Sequence, residues 1–324
     1  MIFAVFCDLR AQADFDAIEK VSLSQENDLY NLDIEFRKKA AFVPRVHILP
    51  NGLQIFLSFN KPINLPKIGK LNQGIVKGYF FEKFGNSSLM FIMALNQKVE
   101  FIKKKYTKNS IKIVFRKKPT VIIDAGHGGK DPGTRSPYEN YPEKNIALII
   151  AIELRNALMK TNHYNVVLTR DKDEFVSLDD RIDRAKSENG DILISLHTDY
   201  NKDKNLRGIS VYTLPPTGFG ESDKESDRES DETLRKSKLF SKSLVGYIPN
   251  LCKIKHRACR SSELKILKTN IPSVLVELGC ISNKKDSKLL LSKLFREKVI
   301  YAILYALDEF FDKEKKSSKR RIVR

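Results

Sequence analysis

The sequence predicts an α/β domain, a mostly parallel sheet flanked by helices, preceded by a small all-β sandwich. Three observations predict it. Strand-like alternation fills residues 35–117, a strongly basic run ending at Pro119 interrupts it, and from Val121 the rhythm changes to strand, loop and helix.

In the first half, apolar and polar residues alternate through Val46–Leu49 and Leu53–Phe59, and Asn51-Gly52 between them is a hairpin signal. Gly78–Phe84, Ser88–Leu95, Val99–Lys105 and Ile111–Phe115 continue the pattern, divided by turn formers such as Gly85-Asn86-Ser87 and Lys108-Asn109. The sandwich is therefore expected over residues 28–117. Lys103–Lys118 holds eight basic residues and no acidic one, which marks the domain boundary. The second domain, expected over residues 119–312, opens with strand Val121–Asp124 and an amphipathic helix from Glu143 to Lys160. Strand Asn165–Thr169, helix Leu178–Glu188, strand Asp191–His197, strands Gly208–Leu214 and Ser273–Leu278 and an apolar helix Leu294–Phe311 complete it.

Residues 217–233 form an acidic insertion in a basic chain. Its core is Glu221-Ser222-Asp223-Lys224, Glu225-Ser226-Asp227-Arg228 and Glu229-Ser230-Asp231-Glu232, a tetrapeptide used three times. Low apolar content and serine enrichment make it read as a solvated, disordered loop. The basic tail, residues 313–324, is expected to fray.

The chain has 324 residues, 41% of them hydrophobic, enough to furnish a core for each domain. A formal charge of +18 points to anionic partners, and nucleic acid, membrane surfaces and carboxylate-rich wall polymers all qualify. The basic runs lack interleaved aromatics on any nucleic-acid-binding module, which argues against nucleic acid. No apolar stretch is long enough for a membrane span. Met1–Cys7 followed by Ala11-Gln12-Ala13 resembles a secretory leader truncated at its start, residues 1–13. A basic first region is missing and Arg10 lies between the apolar run and the cleavage motif. Cys7, Cys252, Cys259 and Cys280 contain no CxxC pair, so a thiolate zinc site is not expected; a Cys252–Cys259 disulfide and free thiols both remain open.

Candidate chemistry lies at strand ends. His127 follows the first strand of the second domain, His197 closes another, and Glu277 lies near the end of Ser273–Leu278, the edge where open α/β sheets place their ligands. Glu143 falls in the first turn of its helix, where the dipole favours an ionised carboxylate. Two imidazoles and one carboxylate would give zinc three protein ligands and one free position, the pattern of a catalytic site. Glu277, a carboxylate in the apolar strand Val274–Leu278, is an expensive placement unless it works or is paired. His47, His163 and His256 read as ordinary surface or core histidines. Gly126, Gly128 and Gly129 around His127 suit either a tight turn or a close ligand approach. Neither HExxH nor a closely spaced HxxE pair occurs, which disfavours zinc peptidases of other folds.

Six motifs in order carry a family resemblance. Val121-Ile122-Ile123-Asp124-Ala125-Gly126-His127-Gly128-Gly129-Lys130-Asp131-Pro132-Gly133 resembles the opening motif of zinc-dependent N-acetylmuramoyl-L-alanine amidases of the cell-division type. Glu143-Lys144-Asn145, Leu168-Thr169-Arg170, Leu178-Asp179-Asp180-Arg181, Ser195-Leu196-His197 and Val276-Glu277-Leu278-Gly279 with Ile281-Ser282-Asn283 match its later motifs. The resemblance implies that His127, Glu143 and His197 hold Zn2+ and that Glu277 is the acid/base. It also implies that the scissile amide joins MurNAc to L-alanine of a peptidoglycan stem. Partners would be stem peptides and glycan, with a LytM-type activator; the location would be periplasmic, at the wall, and the role would be remodelling and daughter-cell separation. A non-catalytic peptidoglycan-binding scaffold of the same fold is the alternative. Thr198-Asp199 replaces the more usual Ala-Asn, and Cys280 stands where an aromatic is typical. Asp131, Arg170 and Arg181 read as ties between loops beneath the site. The sandwich resembles, less specifically, the AMIN domain that localises such amidases. The acidic insertion occupies the place where some of them carry an inhibitory helix. Its composition reads as a spacer, and cover by it or by a helix over Leu234–Tyr247 is the lesser expectation.

Overall fold

The computed structural model describes residues 17–26, 29–37, 40, 44–49, 52–59, 74–216 and 225–322. The leader expected over residues 1–13 and the first part of the acidic insertion lie outside the described residues. The chain divides into a unit of residues 1–118 together with 318–324 and a unit spanning Pro119–Ser317.

The first unit contains β1 (Ile18–Glu26), β2 (Leu29–Phe36), β3 (Arg45–Leu49), β4 (Gly52–Ser58), β5 (Val76–Phe84), β6 (Ser88–Leu95), β7 (Val99–Tyr106) and β8 (Ser110–Lys117). They form two antiparallel sheets, ordered β1-β2-β8-β7 and β3-β4-β6-β5. Period-two patterning explains the pairing of the sheets. Leu32, Ile34, Ile111, Ile113 and Phe115 from one sheet share a core with Leu53, Ile55, Leu57, Leu89, Phe91 and Met93 from the other. Leu49 lies opposite Gly52, the register of a two-residue hairpin. The sheet begins earlier than residue 28, because β1 precedes it. In β1 the polar residues Glu19, Lys20, Gln25 and Glu26 dilute the alternation, and its pairing with β2 supplies the order that its own pattern lacks.

The second unit contains β9 (Thr120–Ala125), α1 (Glu143–Thr161), β10 (Asn165–Leu168), α2 (Leu178–Ser187), β11 (Ile192–Asp199) and β12 (Ile209–Thr213). It continues with α3 (Glu225–Cys252), β13 (His256–Ser261), β14 (Ser273–Cys280), α4 (Lys284–Leu291) and α5 (Lys293–Ile322). The sheet order is β10-β9-β11-β14-β12-β13. Every neighbouring pair is parallel except β12–β14, which is antiparallel, so the sheet is mixed. All six residues of β9 are buried, as a strand covered on both faces requires. One face packs Ile123, Ile194, Val274 and Val276 against residues of α1, α3 and α5, such as Ile150, Phe240 and Ile303. The other packs Ile122, Leu193 and Leu275 with Ile182 and Ala185 of α2.

Two segments differ from their expected form. The backbone of the acidic insertion is helical from Glu225 onward, as the start of α3. Phe240, Leu244, Ile248 and Cys252, spaced by four, bury one stripe of that helix in the sheet core. Propagation from this anchored stripe gains one backbone hydrogen bond per residue and extends back through 225–233, although Ser, Asp and Thr are weak helix formers there. The stretch Leu234–Tyr247 is therefore core, not cover: the Ser273 amide at the amino end of β14 donates to Ser237 Oγ at 2.9 Å, far along the strand from Glu277. Likewise α5 continues to Ile322, through most of the tail expected to fray. Among the described residues no helix is long and apolar enough to cross a membrane.

Cys252, Cys259 and Cys280 are free, so the Cys252–Cys259 disulfide is absent. Burial pushes the Cys252 thiol up to about 12, whereas Cys259 is exposed. In native protein at pH 8, iodoacetamide should alkylate Cys259 at least about tenfold faster than Cys252, as followed by peptide mass mapping. Equal rates would show that the α3 stripe opens readily.

Candidate active site

Beneath the site lies a buried carboxylate. Asp124, 1% exposed at the end of β9, accepts hydrogen bonds from Arg181 Nη1 at 2.6 Å, Thr169 Oγ1 at 2.6 Å and Ser195 Oγ at 2.6 Å. Burial alone would raise its pKa, but the Arg181 charge and the three hydrogen bonds outweigh that and hold it below the usual carboxylate range. Arg181 uses its other N–H groups on the carbonyls of Ala125 and His127, both at 2.7 Å. Arg170 donates to the carbonyls of Ala125, Gly126 and Lys144. The two arginines thus grip the backbone of the loop 125–129 from below.

That grip fixes an unusual turn. His127 has φ 60°, a region few side chains adopt, and the glycines beside it are there for space. A Cβ on Gly126 would collide with the His197 ring, and one on Gly133 (φ 63°) would lie 2.6 Å from His127 Cδ2 and 2.7 Å from Glu143 Oε2. Lys144 Nζ and Asp173 clamp the loop from outside through Gly129.

The loop, the start of α1 and the end of β11 bring His127, Glu143 and His197 together, with their ligand atoms all within 4.8 Å of one another. Glu143 is the first residue of α1, behind Pro142, and is 2% exposed. Its Oε2 accepts from Thr134 N at 3.0 Å and Thr134 Oγ1 at 2.8 Å and faces His127 Nε2 at 3.3 Å. Its Oε1 accepts from Thr198 N at 3.0 Å and lies 2.9 Å from His197 Nδ1. Burial opposes ionisation, but the two imidazoles hold this carboxyl well below the ordinary range. For His127, burial would lower the pKa, and Glu143 and Asp131 together raise it.

Asp131 Oδ2 lies 2.8 Å from His127 Nδ1 and fixes which ring nitrogen faces Glu143. This orienting role reaches beyond a loop tie, and its signal was present: a carboxylate four residues after a histidine in a glycine-rich loop. A nitrogen, oxygen, nitrogen donor set with one oriented imidazole fits zinc, and Gly126 and Gly133 clear the space around the cluster.

Glu277 is on β14, directly opposite His197 on β11 and Ser210 on β12. Its Oε2 is buried without a hydrogen-bond partner among the described residues. Burial, then the charges of Glu143 and Asp199, raise its pKa well above the ordinary value, and Arg257 opposes them. A carboxyl whose proton affinity is raised in this way is suited to taking up a proton and giving it back. His47, His163 and His256 are exposed, and the donor cluster does not include them.

Residues 121–309 match the family model described as N-acetylmuramoyl-L-alanine amidase. The chain belongs to that family. The matched stretch, more than half of the chain, includes His127, Glu143, His197 and Glu277 and begins after the sandwich. The probable N-acetylmuramoyl-L-alanine amidase AmiB of Haemophilus influenzae is 31% identical over 229 residues, 61% of this chain and 53% of that protein. The chain spans about half the length of the curated relatives it matches. The catalytic domain of CwlV, an N-acetylmuramoyl-L-alanine amidase from Bacillus (Paenibacillus) polymyxa var. colistinus, is similar with a TM-score of 0.52 at 26% identity, covering 60% of this chain and 98% of that one. The CwlD amidase from Clostridioides difficile, solved in complex with the GerS lipoprotein, has a TM-score of 0.51 at 27% identity and the same coverages.

In this amidase-family unit Asp124→Asn should destabilise folding by about 3–5 kcal/mol in urea titrations, because Arg181 keeps a buried charge without its counter-ion. The pH dependence follows from the depressed folded value of Asp124. Its contribution is complete above the unfolded value near ~3.9 and disappears as pH falls through the folded one, so wild type and Asp124→Asn should converge in stability only in strong acid.

Proposed function

We propose that this chain hydrolyses the amide between MurNAc and L-alanine in peptidoglycan, in a zinc-dependent reaction with Glu277 as general acid and base. The single observation that carries the proposal is the convergence of the His127, Glu143 and His197 ligand atoms at the strand ends, with Glu277 across the ladder from His197. His127, Glu143 and His197 would hold zinc, which would supply Lewis acidity toward a carbonyl and lower the pKa of a water toward about 7.

The chain's own residues do the rest. Asp131 holds His127 in the tautomer that offers Nε2. Thr134 and the Thr198 amide occupy the outward lone pairs of Glu143 and fix its carboxylate. Glu277 takes the proton of the attacking water and returns it to the leaving amine, and its raised pKa suits the second half of that cycle.

Substrate contact with stem peptide and glycan, an exported location at the wall in the periplasm and a role in wall remodelling and daughter-cell separation are part of the same reading, supported by family membership. The N-terminal sandwich is assigned wall targeting on the resemblance of its place and strand pattern in the sequence to the AMIN domain that precedes such amidases. A partner that switches activity, of the LytM type, fits the picture, and CwlD in its complex with a lipoprotein is a related amidase with a protein partner.

Purified protein should release stem peptides with a free N-terminal L-alanine from sacculi, as read by mass spectrometry, and stop on addition of a chelator. Glu277→Gln should lower kcat by about 10²–10⁴-fold with zinc content unchanged. Retention of near-normal turnover would remove Glu277 from the mechanism, and inert wild-type protein loaded with zinc would favour the non-catalytic scaffold.

Asp131→Ala should weaken zinc affinity by about 10–100-fold in competition with a chromogenic chelator. For kcat/KM, the elevated Glu277 value places the acid limb above the ordinary carboxylate range near ~4.3, with activity falling as pH decreases through it.

A further inference from the structure

Arg257 has no counterpart across its ladder. The register of β12 with β13 passes from Ile209 opposite His256 to Ser210 opposite Ala258, so Arg257 is the extra residue of a bulge. Bulges bend a strand locally and re-aim a side chain, and they recur beside active sites. Here the side chain is only 7% exposed, although it lies on the edge strand of the sheet.

Each part of its guanidinium has a distinct environment. Nη2 donates to Asp199 Oδ2, and Nε donates to Ser210 Oγ at 3.1 Å. Nη1 is buried and has no partner among the described residues. Ser210 is directly opposite Glu277 in the antiparallel β12–β14 pair, and directly opposed residues project to the same face of a sheet. The hydrogen bond to Ser210 therefore carries the guanidinium onto the Glu277 side. On that side Glu277 Oε2 is the matching orphan, buried and without a donor among the described residues. The electrostatic influence of both Arg257 and Asp199 on Glu277 agrees with this proximity.

An unpaired buried donor and an unpaired buried acceptor each carry a desolvation penalty, and pairing them removes both. We propose that Arg257 is a positioning residue for Glu277: its Nη1–H receives Glu277 Oε2 in the reacting complex and turns Oε1 toward the reacting atoms. Asp199 and Ser210 hold the guanidinium in place for that contact, and Asp199 is one of the positions where this chain departs from the pattern it resembles. The inference rests on the acid/base role given to Glu277 above.

The test uses the full chain loaded with zinc. Arg257→Gln combined with Asp199→Asn removes both charges together, so no carboxylate is left unpaired if the single Arg257→Gln variant fails to fold. The double variant should lose about 10²-fold in kcat, the cost of a carboxylate misplaced by about an ångström, with KM within about twofold of wild type. Zinc stoichiometry and melting temperature should stay close to wild type. A rise in KM at unchanged kcat, or a loss of activity that tracks loss of zinc, overturns the proposal.

A crystal structure at pH 8 of the wild type loaded with zinc and bound to a muramyl-peptide fragment gives a readout independent of turnover. Glu277 Oε2 should lie within about 3.2 Å of Arg257 Nη1, and in the double variant Glu277 should occupy more than one rotamer. Active wild-type protein whose Nη1 stays unpaired sinks the pairing alone. Inactive wild-type protein that nevertheless shows the pair sinks the hydrolysis reading and leaves the contact standing.

Discussion

Asp124 is the interaction on which the second unit depends. One buried carboxylate receives Arg181 from α2, Thr169 from the end of β10 and Ser195 from β11, and so ties three strands and a helix at a single point. Because all four side chains are buried, the attraction is strong and the penalty for an unmatched member is equally large. The remaining hydrogen atoms of Arg181, with those of Arg170, are spent on loop carbonyls. The left-handed turn at His127 persists because its backbone is held from outside. Removing that anchor frees the turn, and the first ligand loses its bearing on the other two.

The electrostatics of the site run against those of the chain. In a sequence with a formal charge of +18, Asp131, Glu143, Asp199 and Glu277 collect around two histidines at one edge of the sheet. A local surplus of carboxylates in a protected setting favours a cation there, while the basic remainder of the molecule favours polyanions. These two preferences are compatible because they act at different distances: the first within a few ångströms, the second over about a Debye length of ~8–10 Å.

Much of this was legible in the sequence, where pattern and chemistry coincide. Leu53, Ile55 and Leu57 alternate with polar or exposed residues, and the strands on both sides of Gly52 follow from that. The ligand residues stand out because His127 is flanked by glycines and His197 closes an apolar strand. What escaped lacks a local signature. β13, His256–Ser261, has one small apolar residue and one cysteine among polar ones, and only its parallel partner makes it a strand. Arg257 meets Asp199 across 58 positions of chain, a contact that no window of sequence contains. The acidic tetrapeptides read as loop because their composition cannot bury itself. Their helical backbone from Glu225 is inherited from the anchored stripe downstream.

The reversed direction of β12 has a consequence for how such a site changes over time. In a wholly parallel sheet each strand would present its carboxyl end at this edge, but β12 brings the residues near its amino end, beginning at Gly208 where Asp286 receives the backbone amide. The clustered donor atoms come from residues 127–197, whereas Glu277 has His197 on one side and Ser210, with Arg257 and Asp199, on the other. Substitutions in the β12–β13 segment can therefore alter one side of the surroundings of Glu277 without touching His127, Glu143 or His197. Divergence in pace or substrate preference among such chains is open to that segment even where those three residues must stay fixed.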